Sequence, residues 1–269
     1  RQPIGKGGVR VSGYILCQVK KAGKPYFIEN VSVNIYTIEE LCFYLCNNLY
    51  LIDHTIRNEE LSRWLEEELG LRALAAKTRS HLKATDSLGE FLYPILKEIN
   101  YLDYEELRAL NNRLTQMAEE SSEVRKKKRA DCLVANGMYV DAIQSYQEIL
   151  KNEERLKPAF AAGIYHNLGC AFSYLFQKEE AVECFWKAYG KVHTESTLRI
   201  YLVAYSDCKG MEAYEKRMEE LGVDPSTAER ITEEIRRARR ESEKKSFSVQ
   251  DMDVILERMT AEYHRSTSA

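Results

Sequence analysis

The stretch YHNLGCAFSYLFQKEEAVECFWKAY, residues 165–189, sets glycine or alanine at regular points inside two apolar helical stripes. Gly169 stands among Tyr165, Leu168 and Phe172 in the first stripe; Ala181 and Ala188 flank Phe185 in the second. Glycine inside a helix costs about 1 kcal/mol relative to alanine, so its presence there points to a packing reason. Two antiparallel helices approach closely only where the crossing points carry little side chain and the flanking positions carry much. A chain written this way folds as packed helix pairs. Composition agrees: 13 Gly and 5 Pro in 269 residues leave few breaks, which favours long helices, and 44% hydrophobic with 30% charged residues is the balance of a soluble globular protein rather than a disordered chain.

A second copy lies upstream in ADCLVANGMYVDAIQSYQEIL. There Ala130, Leu133, Ala142 and Tyr146 repeat the positions of Gly169, Phe172, Ala181 and Phe185 at a separation of 39 residues. A fainter third copy runs through Leu198, Tyr201, Leu202, Tyr205, Tyr214, Met218 and Leu221, with its small positions lost. This order of large and small residues resembles the tetratricopeptide repeat, whose period is about 34 residues. Departures are visible: Lys126 and Arg129 stand where an aromatic residue and a leucine belong, Ile149 replaces the last small residue, and the loop around NEERLKP is long.

The resemblance implies an α-solenoid of stacked helix pairs whose first helices form a concave face for a partner protein or peptide. On that face the resemblance sets Lys127, Asp131 and Val134 from one pair. From the next it sets His166, Asn167, Cys170 and Tyr174. One subset of the family grips a C-terminal carboxylate through Lys, Asn and Arg; Lys127, Asn167 and Arg199 resemble its members, while Asp131 stands where that subset has asparagine and would repel an anion. Most of the 17 tyrosines are expected to fill helix interfaces, the remainder to offer contact surface.

Residues 1–120 resemble no family and are expected to form a β-hairpin with helices, 121–222 the repeats, and 223–269 capping helices. YILCQV (14–19) and VSVNIY (31–36) read as the two strands, joined by KKAGKP, with Val31, Val33 and Ile35 alternating against Ser32, Asn34 and Tyr36. Thr37 and Glu40 form a capping box. They open a helix to about Asn48 that is apolar nearly all round, Phe43, Tyr44 and Cys46 included, as a central helix is. Asn58 caps the next helix and Gly70 ends it; others are expected at about 71–83, 86–100 with Pro94 inside, and 104–120. EESSEVRKKK marks a change of texture and reads as the middle of one continuous helix, since nothing in it breaks a helix, with a linker as the alternative; Asp224–Pro225 reads as a helix start, and Ser248 with Asp251 as the box opening a last helix bearing Met252, Ile255, Leu256, Met259 and Tyr263.

The net charge of −3 gives no global drive toward nucleic acid or anionic membrane. VRKKKR (124–129) and RRARR (236–240) are the local exceptions, the second interleaved with glutamates as a solvated helix face would be. Seven cysteines without a CxxC make poor disulfide or zinc material; Cys42 and Cys46, one turn apart, read as buried core residues. The five histidines are scattered, GxSxG and HExxH are absent, and GKGG lacks the spacing of a phosphate loop. The N-terminal decapeptide has no apolar middle, so a cytoplasmic chain is expected. The expectation is a non-catalytic adaptor, without metal or cofactor, holding another protein. Its alternatives are a nucleic-acid binder using the basic helices, or a homo-oligomer assembled through the hairpin or the final helix.

Overall fold

The computed structural model describes residues 20–84, 87–243 and 249–267, and these are mainly helical. The chain divides into two compact units, one reaching Lys128 and also counting residues 266–269, the other running from Arg129 to Arg265.

In the first unit, strand β1 (Tyr26–Ile28) pairs antiparallel with β2 (Val33–Ile35), Tyr26 opposite Ile35 and Ile28 opposite Val33. The strand expected at 31–36 therefore pairs with 26–28, and residues 14–19 lie outside the described residues. The expected alternation also fails: Val31 and Ile35 are buried but Val33 is 47% exposed. Val33 and Ile35 share one face of β2, at whose start Val33 lies open; Val31 is outside the strand, in a 3-10 turn that the left-handed Ser32, φ +50°, closes. Period-two reading therefore does not extend across Ser32. The hairpin is fastened to helices by Trp64, whose indole donates to Lys24 O at 2.8 Å, and by Glu68, which accepts from the Gly23 and Lys24 amides at 3.0 Å each.

Helix α1 (Ile38–Asn47) starts at the Thr37–Glu40 capping box, with both reciprocal bonds formed. Its Leu41, Cys42 and Leu45 are wholly buried, and Tyr44 and Cys46 nearly so, whereas Phe43 is 58% exposed. The helix thus keeps one open face and is not surrounded. Glu39, in its first turn, is 7% exposed, and its carboxylate accepts no hydrogen bond among the described residues; the positive end of the helix dipole is its electrostatic support. Helices α2 (Glu59–Glu67), α3 (Arg72–Ala84), α4 (Leu88–Glu98) and α5 (Tyr104–Glu119) come next. Asn58 caps α2, and Gly70 beyond its end has φ +76°. Pro94 lies within α4, which continues through it as one element. α2 packs on α3, α3 on α4, and α4 also meets α1 and α5. A buried Ser62–Thr78 hydrogen bond of 2.9 Å and the bridge from Arg79 to Glu59 and Glu66, both 2.6 Å, tie α2 to α3.

The segment expected as continuous helix is broken. Extended backbone at Glu120 separates α5 from α6 (Ser122–Ala135), and Ser121 Oγ accepts the Val124 amide at 3.3 Å as a new start. Local capping wins over a sequence with no glycine or proline to mark the stop.

The second unit is a tandem of antiparallel helix pairs, as a helical-repeat fold requires. Here α7 (Tyr139–Leu150) packs on α8 (Pro158–Tyr174), α8 on α9 (Lys178–Lys191), α9 on α10 (Glu195–Lys209), and α10 on α11 (Met211–Glu220) and α12 (Pro225–Glu243). The small residues sit where predicted: Ala130, Ala142, Ala181 and Ala188 are at most 2% exposed, and a Cβ on Gly169 would lie 2.7 Å from Phe185 Cε1. The long loop between α7 and α8 carries a 3-10 turn, Glu153–Arg155; Glu153 accepts from Tyr165 at 2.7 Å and pairs with Lys191 at 2.5 Å, so the extra residues lock α8 to α9. α13 (Val249–Thr267) bears Met252, Leu256 and Met259, each more than half exposed; Ser248 of its expected cap is outside the described residues. No helix among the described residues is long and apolar enough to cross a membrane.

The Thr227 and Ser226 hydroxyls, and with them the amides of the same two residues at 3.1 and 3.0 Å, donate to Asp224 and lower its pKa from 3.8 to about 2. A carboxyl whose folded pKa is depressed stabilises above its unfolded value and loses that contribution as pH falls through the folded one. Docking of α12 should therefore weaken between pH 4 and 2. Asp224→Asn keeps the cap without the titration, and its helicity across that interval, followed by circular dichroism, should be flatter than wild type.

Candidate functional site

The residues singled out from sequence lie on first helices: Lys127, Asp131 and Val134 on α6, His166, Asn167, Cys170 and Tyr174 on α8, and Arg199 on α10. Lys127 belongs to the first unit, the others to the second. Down α8, Gly163, His166, Asn167 and Cys170 are half-buried at i, i+3, i+4 and i+7, ending at the exposed Tyr174. Ile200, Val203 and Ala204 make the corresponding half-buried line on α10. Packing each second helix on the next first helix leaves these lines partly open.

Their polar groups are largely committed to the chain itself. Asp131 Oδ1 accepts from the Tyr146 hydroxyl at 2.5 Å and from Asn167 Nδ2 at 2.7 Å, joining α6, α7 and α8. Burial, with the carboxylate of Asp131 beside it, pushes the Tyr146 phenol well above its usual range. His166 Nε2 lies 3.8 Å from Cys170 Sγ, and its ring leans on Phe185 at 5.8 Å; burial raises the Cys170 thiol. Arg199 Nη1 pairs with Glu234 of α12 at 2.5 Å. Asn167 and Arg199, two of the donors a carboxylate clamp would use, are thus bonded to carboxylates of the same chain.

Members of the basic runs are likewise engaged. Lys128 bonds Glu120 and Tyr50, Arg239 donates to Ser206 O at 3.1 Å, and Arg240 pairs with Glu233 at 2.5 Å. No group of His, Cys, Asp and Glu among the described residues is arranged to hold a metal ion.

Sequence reasoning missed an aromatic set at the helix turns. Tyr174 stacks on Tyr139, centroids 4.7 Å apart and planes within 7°. Val140 and Phe176 beside them are 57% and 83% exposed. Phe176 has φ +59°. The turns inside the three helix pairs each contain one positive-φ residue, Gly137, Phe176 and Gly210, spaced 39 and 34 residues apart. Two are glycine, for which this backbone is easy; for a phenylalanine it costs about 1–2 kcal/mol. The signal is legible once the turns are aligned at the 39-residue offset, which sets Gly137 against Phe176.

Compared with family models, curated proteins and solved structures, the chain matches none. Its function therefore has to come from these side chains and their packing.

Proposed function

We propose that the chain is a non-catalytic adaptor whose second unit holds a segment of another protein along its first helices, in the manner of the tetratricopeptide proteins its repeats resemble. What carries this reading is the half-buried line on α8 matched by the one on α10: mixed apolar and polar side chains, neither sealed into the core nor fully solvated. Such a line is what a peptide needs in order to gain apolar contact without stripping charged groups of water. The hydrogen bonds from Tyr146 and Asn167 to Asp131 keep the helices in fixed register, so little ordering cost falls on binding.

A photoreactive benzoylphenylalanine at position 166 should form adducts with a defined protein when the chain is irradiated in its native cells. The same residue at Gln144, exposed on the second helix α7, should give few. Equal adducts from both positions, with both variants folded, would remove the first-helix face as the binding surface.

A further inference from the structure

We infer that the turn end of the second unit is an anchoring site for a basic protein segment, one that presents an apolar side chain flanked by Lys or Arg, with Phe176 as its centre. The inference rests on the adaptor reading and names a place and a partner chemistry for it. Phe176 occupies the position that is glycine in the turns on either side, yet its ring is 83% exposed. Packing does not compensate for the unfavourable backbone. The Phe176 and Gln177 amides close the helix end on Ser173 O and Phe172 O at 3.1 and 3.0 Å, bonds that glycine would make equally, so the cost of placing a side chain on this backbone is left to a contact outside the chain.

The helix end that leads into this turn carries further aromatic surface, shared with the start of α7. The Tyr139–Tyr174 stack fixes two flat faces, and Val140 extends the apolar patch. Rigid aromatic surfaces of this type give contact area at small entropic cost. The charge beside them is acidic. Asp141 and Glu180 stand at equivalent places in the first turns of α7 and α9, both exposed, and no ion pair among the described residues engages either. The cations of the same end are taken: Lys178 pairs with Asp207 at 2.9 Å and Lys209 with Glu179 at 3.5 Å. A guanidinium or ammonium group is the complement of both features, since it is attracted to an aromatic face and to a carboxylate. An anionic partner would meet the two unpaired carboxylates.

The experiment is selection of a random heptapeptide phage library on the full chain, then binding of the most enriched synthetic peptide to wild type, Phe176→Gly, Asp141→Lys/Glu180→Lys and His166→Ala. The expected peptide has an apolar residue between Lys or Arg, and binds both the first and second variants about tenfold more weakly or worse. Glycine suits this backbone, so Phe176→Gly should hold or raise the thermal midpoint; a fall would mean that the ring braces the turn, and would overturn the inference. Enriched peptides without basic residues, equal affinity for Phe176→Gly, or no enrichment would overturn it too. A peptide that ignores Phe176→Gly but is lost on His166→Ala would sink this site alone and leave the first-helix reading standing.

Discussion

Replacing Tyr146 with alanine should destabilise the second unit by about 3–5 kcal/mol, the range for emptying a large aromatic site in a core. Tyr146 is wholly buried, and its hydroxyl and Asn167 converge on one oxygen of Asp131. The loss has two separable parts. Tyr146→Phe keeps the ring and removes only the donor, which should cost about 1.5–3 kcal/mol because the acceptor is charged and only half-exposed. Denaturant unfolding of the three proteins would measure both steps. A Tyr146→Phe protein as stable as wild type would show that the carboxylate finds water or another donor. The same substitution bears on alkaline stability. A phenol raised above its ordinary 10.0 contributes stability below that value and loses it as pH climbs toward the folded pKa. Wild type should therefore weaken above pH 10, and Tyr146→Phe should weaken less steeply.

Gly169→Leu should cost about 3 kcal/mol, and lower the thermal midpoint by about 10 °C. Two effects oppose each other here. Leaving glycine in a helix interior gains about 1 kcal/mol of propensity, but even the first added carbon would lie 2.7–2.9 Å from three atoms of the Phe185 ring. That ring cannot swing aside freely: it is 5% exposed and belongs to the cluster of Ala181, Tyr201, Leu202 and Tyr214. Overpacking wins for leucine, while alanine should fall between the two. The double variant Gly169→Leu/Phe185→Ala tests the cause, because removing the obstructing ring should recover part of the loss, whereas independent sites would simply add.

Sequence makes legible whatever depends on neighbours a few residues away or on a forced close approach. The Thr37–Glu40 box, the Asn58 and Asp224 caps and the Gly70 stop are local, and the small residues of α8 and α9 state their reason through their spacing. The hairpin departs from its sequence pattern because Val31 sits in a 3-10 turn and the left-handed Ser32 delays the strand to Val33, and neither residue carries a mark of that. Phe43 reads as interior and is not, because apolar character records what a residue tolerates, not which neighbours arrive. On the candidate face, spacing finds the right helix positions. It cannot show that Asp131 and Asn167 bond each other, since the two are 36 residues apart in the chain. Phe176 escapes because its significance lies in backbone geometry, where the expected residue is glycine.

The cysteines give this chain a built-in set of reporters. Cys42 and Cys46 are buried in the first unit and Cys184 in the second; burial raises the Cys46 thiol to about 11 and that of Cys184 to about 12. At neutral pH each is almost wholly in the unreactive thiol form and shielded from reagent, so alkylation must wait for the surrounding helices to open. Peptide mass after timed labelling thus separates the opening of one half from that of the other in a single tube. Ligand-induced tightening of one half would be recorded as slower labelling there, without any added dye or tag.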